Sequence, residues 1–129
     1  MNKKLPTYGQ LERNLAQNIQ KLYRQELGQN PSKVTCQLFG NRIVIVIEDA
    51  LPTVENILVD ERQLAMVKRL NLAINDIIKS KLKVLIEEVL TVRVENILLG
   101  STIETNRSAA IATLDSSPQV RNSRQKLLH

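Results

Sequence analysis

The sequence predicts a two-layer α/β (α+β) sandwich with the order helix-strand-strand-helix-strand-strand. A long helix should lie across one face of a four-stranded, mostly antiparallel sheet. Three observations lead there. Residues 60–90 repeat apolar side chains at close to helical period. Residues 34–39 and 42–47 are apolar runs flanking Gly40-Asn41, a two-residue loop of the kind used in tight hairpins. From Val89 a β-branched run opens a second pair of strands.

The elements follow in order. Residues 8–27 read as a helix with an apolar stripe at Leu11, Leu15, Ile19, Leu22 and Leu27. Thr7 and Gln10 have capping-box spacing, Gly28 is placed to end the helix, and Pro31 blocks its continuation. In the hairpin, Leu38 should face Ile43, Cys36 face Ile45 and Val34 face Ile47, making one wholly apolar face. The other face, with Thr35, Gln37, Phe39, Arg42, Val44 and Val46, is mixed and suits partial covering by another subunit. Residues 53–59 fit a short helical turn, and Asp60 fits the N-cap of the long helix.

That helix would be about 45 Å long at the usual rise per residue, which exceeds the span of such a sheet. Its apolar positions are Leu64, Val67, Leu70, Ile74, Ile77, Ile78, Leu82, Leu85, Ile86 and Val89. Lys68, Asn75, Lys79 and Lys83 share the polar side, with Lys83 and Glu87 spaced for a weak pair. Leu70→Asp is accordingly expected to destabilise the fold. Residues 91–99 read as the third strand, with a phase change near Asn96 that marks a bulge. Gly100-Ser101 begins a turn, and residues 108–114 are a fourth strand poor in large side chains. Residues 1–114 form one domain on this reading. Residues 115–129 form a flexible basic tail carrying Arg121, Arg124 and Lys126.

Composition narrows the function classes. Apolar residues make up 43% of the 129, almost all aliphatic, so branched side chains must carry the packing. A formal charge of +5 permits an acidic partner without selecting one. Cys36 is the single cysteine, which excludes an internal disulfide and fits a reducing, cytoplasmic setting. No apolar run reaches the ~18 residues of a membrane span. No apolar stretch follows Lys3 and Lys4, so no secretory signal is expected.

Catalytic chemistry finds little footing. The one histidine is His129, distant in sequence from Cys36, and no ligands fall at zinc spacing. The acidic doublets Glu48/Asp49, Asp60/Glu61 and Glu87/Glu88 point apart on any regular element and make no acid–base dyad. No glycine-rich phosphate loop is present, although Asn30, Ser32 and Lys33 in the polar loop after Gly28 are a candidate anion site. Nucleic acid is disfavoured because aromatic platforms are lacking and the basic residues are interspersed with acids. No metal and no cofactor is called for.

The combination of an opening helix, Gly28-Gln-Asn-Pro31-Ser-Lys-Val34, an apolar hairpin, Leu51-Pro-Thr-Val-Glu55-Asn-Ile-Leu58, a long helix and Leu90-Thr-Val-Arg-Val94 resembles a known family. It is the small-domain family named for the C subunit of a sodium-translocating, membrane-potential-generating system. The resemblance covers roughly residues 8–114. Family loops typically read Gly-x-Gly-Pro, Leu-Thr-Pro-x-Glu-x-x-Leu and Thr-Gly-x-x-Val. Here Asn30 replaces the second Gly, Pro52 and Thr53 come in swapped order, and Val92 stands for the third-motif Gly. The resemblance implies a small domain associated with ion or bicarbonate transport, and no catalytic residues.

The expected function is therefore a non-enzymatic interaction or regulatory module, homodimeric and linked to a transport assembly. A sensing domain for a small anion or nucleotide is the alternative, and nucleic-acid binding through the basic surface and tail is a further one. Expected partner-binding positions are Leu82, Leu85 and Val89 near the helix end, Phe39 and Val44 on the sheet, and Arg121, Arg124 and Lys126 in the tail.

Overall fold

A computed structural model describes residues 5–50, 61–102 and 104–121. The first helix, α1 (Tyr8–Leu27), opens with a true capping box. Gln10 N–H donates to Thr7 Oγ1 and Thr7 N–H to Gln10 Oε1, which satisfies two amides that the helix leaves orphaned. Gly28 closes it in the left-handed region at φ 65°, where a Cβ would be strained. Leu11, Leu15, Ile19 and Tyr23 form its buried face. Tyr23 is only 1% exposed, a core role that the stripe of aliphatic positions concealed.

Strands β1 (Lys33–Phe39) and β2 (Arg42–Glu48) pair in the expected register, with Leu38 opposite Ile43, Cys36 opposite Ile45 and Val34 opposite Ile47. Gly40 takes φ 59° at the first loop position, where a type II′ turn reserves a place for glycine. After the second helix, α2 (Glu61–Leu90), come β3 (Val94–Thr102) and β4 (Arg107–Leu114). The sheet order is β1-β2-β4-β3, all antiparallel, with the helices on one face. The element order and fold class are as the sequence predicts. The expected turn at 53–59 and the Asp60 cap lie outside the described residues.

Strand β3 starts and ends three residues later than its pattern suggested. The helix runs to Leu90, and Thr91 turns the chain at φ 57° before the strand begins. Gly100 and Ser101 stay in the ladder opposite Ala109 and Ser108, and the turn falls at Asn106 with φ 50°. The expected bulge is present as a register shift between Val94 and Asn96.

The core lies between helices and sheet. Ile43, Ile45, Ile47, Ile78, Leu82, Ile86 and Leu114 are fully buried there. Small Ala110 and Ala112 on β4 complete the inner face. The apolar positions of α2 belong to two faces rather than one. Ile78, Leu82 and Ile86 point into the core, whereas Leu70 is 61% exposed and Ile77 is also exposed. Leu70 is therefore not a core residue of the protomer, and the expected destabilisation by Leu70→Asp loses its basis. Asn75, assigned to the polar side, is buried in phase with Ile78 and Leu82.

The domain also runs past the boundary expected at 114. Arg93 and Asp115 bond to each other, with Asp115 N–H donating to Arg93 O at 2.9 Å. Pro118 is buried, Val120 packs against the core, and Arg121 N–H donates to Pro6 O at 2.8 Å. Pro118, Val120 and the Arg121–Pro6 hydrogen bond thus tie residues 115–121 to the rest of the fold.

Candidate functional site

Among the described residues, alternation along four paired strands leaves one sheet face without helices. Its centre is a row running across the sheet: Gln37, Val44, Ile111 and Leu98 are successive register neighbours. Beside it run Thr35, Val46, Ala109 and Gly100. Leu98 is 67% exposed, Phe39 58% and Ile111 43%. An apolar centre of this kind on a sheet's open side is unusual for surface left to water. Lys33 and Arg42 stand at the margin of the same face, as does Arg107, bound to Glu48 at 2.9 Å. A basic and polar rim around an apolar centre is the anatomy of a protein interface. Phe39 and Val44 are where the sequence placed them. Leu98 and Ile111 are not marked by the sequence, in which β4 is a run of mostly small residues. Strand alternation alone would have put Ile111 on the outer face, but only the β2–β4 pairing sets it beside Val44.

A second feature is a cleft of about 460 Å³ between α2 and the β3 end of the sheet. Lys68, Asn71, Asn75, Asp76, Lys79, Ser101 and Glu104 supply its polar lining. At its floor Asn75 Nδ2 donates to Ser101 Oγ at 3.1 Å, and the Ser101 and Ser108 hydroxyls are 2.9 Å apart. Ser108 is fully buried. Asn71 Oδ1 is buried with no hydrogen-bond partner, an uncompensated acceptor where burial without a partner is costly. The cleft can offer an amide acceptor flanked by two ammonium and two carboxylate groups.

The other expected site residues are dispersed. Asn30 Oδ1 accepts from Gln20 Nε2 at 3.1 Å, and Ser32 Oγ donates to Asp49 Oδ2 at 2.6 Å. Those bonds fix the loop between α1 and β1, and a carboxylate beside Ser32 repels an anion. Lys33 points to the outer sheet face, so the three do not converge on a cradle. Leu82 is wholly buried, and Leu85 and Val89 pack against the core, so this end of α2 is occupied within the protomer. Arg121 is exposed at the end of the described chain, and Arg124 and Lys126 lie outside it. Glu87 turns its carboxylate to Val94 N–H at 2.9 Å and holds the start of β3 instead of pairing with Lys83.

Cys36 is buried on the inner sheet face, and burial, aided by the Glu12 charge, pushes its thiol up to about 12. It is held protonated, far from the thiolate that a nucleophile requires. Among the described residues, no group of three or more His, Cys, Asp or Glu side chains is placed to hold a metal ion. Among the same residues, no helix is long and apolar enough to cross a membrane.

Comparison with known proteins adds one match. The sequence profile described as Na+-translocating membrane potential-generating system (MpsC) fits residues 7–116, from the capping threonine through all six elements. Neither the curated proteins nor the solved structures contain a match.

Proposed function

The chain belongs to the family of the Na+-translocating membrane potential-generating system (MpsC), and on that premise we propose that it is a non-enzymatic interaction module. It acts as a homodimer and docks on a protein component of a membrane-associated ion-transport assembly. The observation that carries this reading is the uncovered sheet face, where Val44, Ile111 and Leu98 line up across three strands inside a basic rim. A rigid sheet presents such a row without ordering cost, which favours binding. The partner expected is one with an apolar patch and acidic surroundings.

The test is affinity capture from detergent-solubilised membranes, comparing the native chain with Leu98→Glu and Ile111→Lys. Both positions are solvent-facing in the protomer, so circular dichroism should report unchanged folding. A membrane component held by the native chain should be retained about tenfold or more less well by either variant, the usual scale for losing an interface anchor. Equal recovery of the same proteins by all three would overturn the reading.

A second reading is a sensing domain in which a nucleotide enters the α2–β3 cleft, its phosphates against Lys68 and Lys79 and one of its N–H or O–H groups donating to the unpartnered Asn71 Oδ1. Melting curves with phosphate, bicarbonate and nucleotides test it. A ligand at 100 times its Kd stabilises by about 2.7 kcal/mol, and Asn71→Leu should abolish that shift. Unmoved melting temperatures throughout would remove this reading.

A further inference from the structure

On the solvent side, α2 carries a second apolar stripe. Met66, Leu70, Ala73, Ile77, Ser80 and Val84 succeed one another at intervals of four, three, four, three and four, and all six are exposed. At about 100° per residue the stripe is centred opposite the core face of Ile78, Leu82 and Ile86. A sustained four-three alternation is the seam of a two-helix coiled coil. It has no role in the protomer core, because that face of the helix is already supplied.

We propose that a second copy of this chain covers the seam, with the two α2 helices packed antiparallel. The size pattern points to that occupant. Large side chains (Leu70, Ile77, Val84) fill one heptad position, and the other, after Met66, carries small ones (Ala73, Ser80). Turned end for end, the centre of such a helix complements itself: Ile77 of each copy faces Ser80 of the other and Val84 faces Ala73, while Leu70 falls opposite Glu87 at the margin. A parallel pair would stack large on large and small on small, leaving alternate crowding and voids in a layer that must pack densely. Charge agrees with the same register. Asp76 and Lys83 are exposed on one flank of the seam, seven residues apart. The antiparallel register brings Asp76 of each copy to Lys83 of the other, twice by symmetry, as an isologous interface requires. Lys81, which a parallel pairing would set against Asp76, is instead held by Glu26 of α1 at 3.3 Å.

The inference deepens the homodimer element of the proposed function but uses a surface separate from the sheet face, so the two fail independently. Leu98→Glu should leave the dimer intact. The experiment is sedimentation equilibrium of the full chain across a concentration series. The native chain should be dimeric, and Ile77→Asp should be monomeric with its helical circular dichroism retained. Asp76→Lys and Lys83→Asp should each weaken association about tenfold or more, and the double exchange should recover most of the loss, as reciprocal charge pairs do. A native monomer at about 100 μM, well above the Kd of an ordinary stable dimer, would overturn the proposal. A persistent dimer in Ile77→Asp would do the same. Failure of the double exchange to rescue would overturn it too, since in a parallel pair the carboxylate introduced by Lys83→Asp would meet Glu88 of the other copy and weaken association further.

Discussion

Among the described residues, Cys36 and Tyr23 are the two side chains whose ionisation the fold controls most. Burial raises the Cys36 thiol from 9.0 to about 12, with the Glu12 charge adding to it, and raises the Tyr23 phenol from 10.0 to about 12. Both are neutral when protonated, and the native state holds the proton more tightly than the unfolded chain does. Their contribution to stability is therefore complete below about pH 8 and is lost as pH climbs from the unfolded values through the folded ones. Thermal melts should show a flat response from these groups at neutral pH and a falling Tm between pH 9 and 12. Cys36→Ala should flatten the first part of that decline. A Tm independent of pH over this window would contradict the burial of both groups. Neither ionisation was legible in the sequence, because each depends on which neighbours close over the side chain.

At the scale of elements, the end of α2 carries backbone strain that asparagine or aspartate, as at Asn106 and Asp49, would bear more easily. Thr91 holds a left-handed φ of 57° with a branched Cβ, in a place where glycine is the common residue. Thr91→Gly should raise stability by about 1 kcal/mol, read as a higher urea midpoint at unchanged slope. The sequence already hinted at this site, since no glycine marks the helix end there. Other elements were legible for plain reasons. The capping threonine, Gly28 and the Gly40-Asn41 loop each act through local backbone geometry, which a few neighbouring residues decide. The faces of α2 were harder. Leu70 and Ile77 fall close to the phase of a broad apolar arc, and separating a core stripe from an opposite seam requires knowing which residues the sheet covers. Asn75 shows the same limit: a polar residue in the core phase makes sense only beside Ser101 and Ser108.

For the whole molecule, the strand order has an implication for how the protein is put together. Half a turn about an axis perpendicular to the sheet, passing between β2 and β4, exchanges β1 with β3 and β2 with β4. The chain is thus two αββ halves of like topology, each with a helix, an edge strand and a central strand. Within each half the hairpin is local and quick to form, whereas the β2–β4 ladder and the packing of α1 with α2 join residues far apart in the chain. Neither half encloses a core by itself. Ile43, Ile45 and Ile47 on one side of the ladder need Ala110 and Ala112 on the other. The first half emerging alone during synthesis would present β2 as a bare apolar edge. The complement that closes it is carried equally by any other copy of the chain, so the same joint that completes one molecule also permits two molecules to trade halves.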